Sequence, residues 1–450
     1  MNNTIPGPGR IETLRRLMPV PFAKFPEFMR YLTQEHGQTA AFSLPWRSYV
    51  FVNEPASIKD VFVTQQHLFS KSLGARTLRL LLGDGLLTSE NPKHKQMRRI
   101  VQPAFHRERI ARYMEIMAAC GDEFVGRLEP GKSFDAHAAM TQLTLRIATL
   151  TLFGSDESAA SQQVSRALAI LMEEFPLVLG PFGAIRQRLP LPATRRFYRA
   201  RRDLDAIVYG MIARRRADGI GRGDALSMLL AASDAETGER PDDEQIRDEV
   251  MTLFLAGHET TANALTWTLY LLAQNPDVDA RLGEAAADGD RDYVMRVARE
   301  SMRLYPPAWI IGREAKTDVT LVDGSFIAKG TTVFISPLVL HRRADTFPDP
   351  DRFDPDRWIG FEPPPFAYVP FGGGARRCIG EEFAWGELAL LLTVFARTYR
   401  FERTSSAPVG TSPLVTLRPD GPVAMRALPR SRRSPSAIRP AIAVGDSITN

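Results

Sequence analysis

Cys378 sits in the stretch FGGGARRCIG, residues 371–380, in a chain that holds only two cysteines. A thiolate that is to bind a metal needs its pKa lowered, which backbone amides, nearby cations and a helix N-terminus all do. This stretch offers all three. Gly372, Gly373, Gly374 and Gly380 let backbone approach a flat group closely and free amides to turn toward the sulfur. The run EEFAWGELALLLTVFARTYRF that follows carries a helical pattern and places Cys378 at its N-terminal end. Arg376 is available to an anionic group on the edge of such a ligand, and Phe371 to keep water from the sulfur. Taken alone, the stretch is also compatible with a glycine-rich turn carrying an incidental cysteine. The other cysteine, Cys120 in YMEIMAACGDEF, reads as a small buried hydrophobe.

Three further groups invite chemistry. Within the helical pattern of residues 243–274 sits Ala256-Gly257-His258-Glu259-Thr260-Thr261. A helix interior tolerates this poorly, because glycine costs about 1 kcal/mol and threonines compete for backbone hydrogen bonds. Leu253, Ala256, Gly257 and Thr260 share one stripe, which suits a ligand face or a packing notch against another helix; His258 points to packing or solvent rather than ligation. In ARESMRLYPP, Glu300 and Arg303 stand one turn apart, as an ordinary surface pair also would. In HKQMRR, His94 and Arg98 occupy one face of a helix at i and i+4.

Phe371, Gly374, Arg376, Cys378 and Gly380, with Ala384 beyond them, resemble the F-x-x-G-x-R-x-C-x-G haem signature of the cytochrome P450 superfamily. Residues 256–260 resemble its A-G-x-[DE]-T motif, Glu300 and Arg303 its E-x-x-R motif, and His94 with Arg98 its propionate-binding H-x-x-x-R. Arg352 in PDPDRF matches the arginine that completes a buried triad, and Arg313 in AWIIGREA a further propionate arginine. The matches run in the family's order from about residue 35 to 427. The resemblance implies a mainly α (α+β) fold, a helical prism with a small β-rich side. Haem b would lie between the 256–260 helix and the cysteine loop, with Cys378 as axial ligand to iron and His94, Arg98, Arg313 and Arg376 near the propionates. Ala256 and Gly257 would make the oxygen groove. Thr260 would stabilise activated dioxygen by hydrogen bonding, with Glu259 in the proton relay. Leu253, Ala308, Ile311 and Leu414 would line the substrate pocket.

The elements that must position these residues are legible from periodicity. Helices are expected over 95–125, 136–153, 160–175, 194–217 and 243–274, a strand pair in TAAFSLPWRSYVFVNEP, and strands with a hairpin at Asp323-Gly324 in 318–340. Residues 345–370 hold seven prolines and are expected to form an irregular functional segment leading to the cysteine loop. GIGRGD, 219–224, follows a helix rather than a strand and reads as a linker.

With 450 residues, 44% hydrophobic and 24% charged, the chain can build a large core, expected as one domain over 1–427 with a disordered basic tail from 428. A net charge of +5, with no basic run interleaved with aromatics, argues against nucleic acid. No stretch approaches the ~20 apolar residues of a membrane span, and two cysteines cannot make a disulfide framework, so a cytoplasmic protein without an integral membrane anchor is expected. The resemblance implies insertion of one oxygen atom of O2 into a hydrophobic small molecule. The chain leaves no room for a flavin reductase, so a separate ferredoxin or flavodoxin and its reductase are expected to deliver electrons. Lys93, Lys95, Arg99, Arg107 and Arg377 suit docking of an acidic partner. The alternatives are a peroxygenase or isomerase that needs no O2 activation, or a catalytically silent haem-binding module.

Overall fold

The computed structural model describes residues 5–18, 21–45, 47–154, 158–179, 189, 191–219, 224–234, 236 and 238–430. The tail from 431 onward and parts of the 170–193 and 219–224 segments lie outside the described residues.

The organising element is the distal helix, Asp243–Gln274. Its start is set by a capping box: the Asp242 side chain accepts from the Gln245 amide, and the Gln245 side chain accepts from the Asp242 amide. It lies across helix Ala136–Phe153 and is clasped on two sides. One apolar cluster joins it to helices Arg107–Arg127, Pro276–Asp288, Arg291–Leu304 and Glu381–Thr398, and the other to the 78–104 region and helix Pro192–Asp218. A helix enclosed this way carries apolar residues on every side, which is why no single apolar stripe stands out in its sequence.

The periodic segment 95–125 forms two helices, Lys93–Val101 and Arg107–Arg127, parted by a 3-10 turn at Gln102–Phe105. Pro103 lacks the amide that a continuous helix would need. The arginine-rich helix Pro192–Asp218 has a buried exception, Arg215, which pairs with Asp224 at 2.5 Å.

The β-rich side is a five-stranded sheet in the order Thr39–Leu44, Arg47–Val52, Thr332–Ile335, Ile311–Ala315, Phe69–Lys71. Its register sets Lys71 directly opposite Arg313. The expected hairpin pairs Val319–Thr320 with Phe326–Ile327, and Gly324 takes φ +82° in its turn. Strand Ala424–Pro429 pairs Leu428 with Arg400 and Pro429 with Tyr399, so ordered structure continues two residues past the expected boundary at 427. No helix of the described residues is long and apolar enough to cross a membrane.

Candidate active site

Between Ile246 and Leu272 every residue of the distal helix is buried except Ala256, Gly257 and Thr260. A Cβ at Gly257 would rest at an ordinary 3.5 Å from Leu152, so helix packing does not demand glycine there. The stripe therefore reads as an opening onto a recess rather than a packing notch. Leu253, one turn earlier, is buried. Thr260 donates its hydroxyl hydrogen to the Ala256 carbonyl at 2.7 Å, so it offers the recess lone pairs rather than a proton. His258 is buried and spans to the Phe254 carbonyl, a packing role as expected.

Glu259 points away to strand Leu417–Pro419 and the turn before it. Its Oε1 accepts from both Arg418 Nε and a second Arg418 nitrogen at 2.7 Å, and from the Thr416 hydroxyl. Burial would raise this carboxyl, but the charge and hydrogen bond of Arg418, with Thr416, hold it below the usual carboxylate range. Asn263 extends the network, donating to Thr416 at 3.1 Å, and its carbonyl oxygen lies 3.0 Å from the His137 ring.

The cysteine loop is seated by backbone. The Cys378 amide donates to the Phe371 carbonyl at 3.0 Å, and Gly372 and Gly374 take φ +72° and +66°. A Cβ on Gly374 would lie 1.8 Å from the Phe62 carbonyl, so only glycine fits. Phe371 stands edge-on to Trp385, ring centroids 5.2 Å apart. Gly380 immediately precedes helix Glu381–Thr398. Burial pushes the Cys378 thiol up to about 11, opposed by the Gly380 amide, Arg98 and Arg377. Yet the residue keeps accessible surface, so the sulfur stands in a recess, enclosed by protein and open on one side. Among the described residues no group of three or more His, Cys, Asp or Glu side chains could hold a metal ion.

Cations converge nearby. Arg376 donates to the Ser89 carbonyl at 2.8 Å and to Glu90 at 2.6 Å, and Arg98 to the Arg377 carbonyl at 2.8 Å. Arg313 is pushed down to about 10 by burial and by Arg376, with Glu90 opposing. His94 is pushed to about 3 by burial and by Arg376, Lys71, Arg98 and Arg313, so it is neutral. Lys71, which no sequence motif marks, is buried and held well below its ordinary value by burial, Arg376 and Arg313. Like charges set opposite each other on neighbouring strands destabilise a sheet, and Glu90 alone does not balance Lys71, Arg98, Arg313 and Arg376. This donor set fits a group with two carboxylates, as the haem propionates are. Ile311 approaches the loop at Gly372, and Ala308 and Leu414 are half-buried.

Behind the loop, Arg303 forms a two-point pair with Glu300 at 2.8 Å, and both are fully buried. The expected third member, Arg352, is corrected. Its side chain is exposed, and only its carbonyl takes part, accepting from Arg303 at 3.0 Å. Arg357 completes the triad, donating to Glu300 Oε1 at 3.2 Å, beside Trp358 at 3.1 Å on Oε2. The segment PDRFDPDRW contains the same tripeptide twice. The 3-10 turn Pro355–Trp358 aims the second copy inward, while buried Phe353 leaves Arg352 facing solvent.

The basic docking set divides as well. Lys93 pairs with Asp84, Arg99 with Asp234 and Glu236, and Arg377 with Glu381, whereas Lys95 and Arg107 are exposed.

Glu387, on the cysteine helix, is fully buried, and neither carboxylate oxygen has a well-formed hydrogen bond. Burial pushes it up to about 8, with the Thr261 hydroxyl opposing. The fold therefore keeps a proton that the unfolded chain releases near 4.5. This group's contribution to stability is whole below that pH and is lost as pH rises through 8, by up to about 5 kcal/mol. Glu387→Gln should match the parent in thermal unfolding near pH 5 and exceed it above pH 8. A difference that does not change with pH would contradict this reading.

A family model described as Cytochrome P450 matches residues 6–423. The chain is 37% identical to cyclooctatin synthase of Streptomyces melanosporofaciens, covering 88% of this chain and 89% of that one. It is 36% identical to cyclooctat-9-en-7-ol 5-monooxygenase of the same organism, covering 81% and 83%. It is 35% identical to pentalenene oxygenase of Streptomyces avermitilis, covering 75% and 78%.

Proposed function

The chain belongs to the cytochrome P450 family and is a haem-dependent monooxygenase of hydrophobic small molecules, and on that premise we propose that it oxidises a cyclic terpenoid. Its cofactor is haem b with a cysteine thiolate ligand, and its electrons come from a separate ferredoxin and reductase. Bound haem supplies activation of O2, so that one oxygen atom enters the substrate and the other leaves as water.

In this reading Cys378 is the thiolate, and His94, Arg98, Arg313, Arg376 and Lys71 receive the propionates. Ala256 and Gly257 would leave room for dioxygen beside the bound cofactor. Thr260 accepts a hydrogen bond there and so positions water or a protonated oxygen. Glu259, kept anionic by Arg418, anchors the polar chain that supplies protons. Residues 5–430 act as one domain, and a cytoplasmic setting suits one buried cysteine and one claimed by iron. The terpenoid assignment is supported by the relatives' names, which specify pentalenene and cyclooctat-9-en-7-ol. The apolar residues Leu253, Ala308, Ile311 and Leu414 also fit it. The observation that carries the site is the break in burial at Ala256, Gly257 and Thr260 within an otherwise enclosed helix.

Titrating the holoprotein with pentalenene, a steroid and a fatty acid should shift the haem spectrum most strongly with pentalenene; a preference for the fatty acid would reverse the substrate assignment. Thr260→Ala should keep substrate binding while diverting electrons from product to peroxide. Unchanged coupling would remove Thr260 from its assigned role.

A further inference from the structure

Residues 87–90, which precede helix Lys93–Val101, collect basic side chains in a row. The Lys71 ammonium donates to the Leu87 carbonyl, Arg79 to the Thr88 carbonyl at 3.2 and 3.3 Å, and Arg376 to the Ser89 carbonyl at 2.8 Å. Glu90 closes the row with a carboxylate. Its Oε2 accepts from Arg376 at 2.6 Å, and its Oε1 accepts from the Lys71 amide at 2.6 Å.

The two oxygens of Glu90 serve different elements. Strand Phe69–Lys71 is the outermost strand of the five-stranded sheet, so amides on its far side lack a ladder partner. Glu90 supplies one to Lys71 and, with its other oxygen, grips a guanidinium of the cysteine loop. The sheet edge and the loop that carries Cys378 are thereby tied through one side chain. Arg376 spends part of its N–H fork on Ser89 and Glu90, which fixes its plane and leaves further N–H groups for an anionic ligand.

Charge sets Glu90 apart from the three carbonyls before it. A carbonyl orients a cation without neutralising it, whereas Glu90 brings a full negative charge into the cluster. Lys71, Arg313 and Arg376 are each held below their ordinary values by burial, and Glu90 opposes that shift in all three.

We infer that Glu90 is a positioning residue for the haem site: it orients Arg376 toward the cofactor, and its charge among the cations lowers the haem reduction potential. Reduction adds an electron at the cofactor, which neighbouring cations favour and a neighbouring anion opposes. Glu90 offsets part of the cation cluster and so sets how readily the haem accepts an electron from its redox partner. The inference rests on the haem reading and goes beyond it, because Glu90 acts through Arg376 and through its charge.

The test is spectroelectrochemical titration of the holoprotein and its variants, with haem release to excess apomyoglobin as a second readout. Glu90→Gln keeps an acceptor for the Lys71 amide but removes the charge. It should move the ferric–ferrous equilibrium toward ferrous by about tenfold, which is about 59 mV more positive for a one-electron couple. Glu90→Asp, which keeps the charge, should reverse most of that shift. Glu90→Ala should shift the potential as Glu90→Gln does and, with Arg376 freed, release haem about tenfold faster than the parent. A thiolate-type Soret band in the reduced, carbon monoxide-bound protein should persist in all three. An unchanged potential in Glu90→Gln with that band intact, or a shift that Glu90→Asp leaves in place, overturns the role of Glu90 and leaves the haem reading standing. A parent holoprotein without a thiolate-type band fails the haem reading and the inference with it.

Discussion

Cys378→Ala protein should show no strongly red-shifted Soret band when reduced under carbon monoxide, and no oxygenase activity. Cys378 is the protein's one proposed bond to iron, so its loss should exceed the roughly 10–100-fold effects of changes to outer-shell groups. The globular fold should survive. The cysteine keeps accessible surface and its side chain is absent from the apolar clusters, while the loop is held by backbone, through the Cys378 amide and the glycine seats at Gly372 and Gly374. Cys120→Ala is the matched control, since Cys120 lies in the main apolar cluster and its removal should leave the spectrum as it was. A thiolate-type band persisting in Cys378→Ala would dislodge the central residue of the site.

Glu300→Ala should be destabilised by about 3–5 kcal/mol, because Arg303 would be left as a buried cation without its carboxylate. Against a total stability of about 5–15 kcal/mol, that is enough to reduce soluble holoprotein sharply. The damage should reach the haem as well. Arg303 also donates to the His341 and Pro350 carbonyls, and the Val369 amide donates to the His341 ring at 2.9 Å, two residues before the cysteine loop begins. Thus the triad sets the position of the segment that carries Cys378. The paired comparison is sharper still. Arg357→Ala should lose stability and haem content, whereas Arg352→Ala should stay within about 0.5 kcal/mol of the parent, as expected where only the backbone takes part. Equal effects from the two variants would undo the corrected triad.

Much of this site could be read before any folding was considered. Cys378 with its glycines, the Ala256–Thr260 irregularity and the Glu300–Arg303 spacing are local patterns whose oddness is a property of a few consecutive residues. The long helices followed equally directly, because a sustained apolar period needs no tertiary information. Failures came where the decision was not local. Arg352 and Arg357 sit in near-identical tripeptides, and only the 3-10 turn at Pro355–Trp358 chooses between them. Lys71 carries no motif and enters the cation cluster because strand register sets it opposite Arg313. Arg418 and Thr416 lie more than 150 residues from Glu259 in sequence.

By itself, then, the sequence determined the chemistry: a thiolate ligand, a distal helix with an opening at its middle, and a buried ion pair behind the loop. These are short-range choices of residue type and spacing, each broken against a local propensity that only a site would justify. The tertiary structure decided which charges meet. It placed Lys71 in the cation cluster with Arg313 and Arg376, turned the Thr260 hydroxyl into an acceptor, paired Glu259 with Arg418, and left Glu249 and Thr252 without hydrogen bonds at Oε1 and Oγ1. Electrostatics and hydrogen bonding act over a few ångströms of space whatever the separation along the chain, so those outcomes exist only once the fold has brought the strands and helices together.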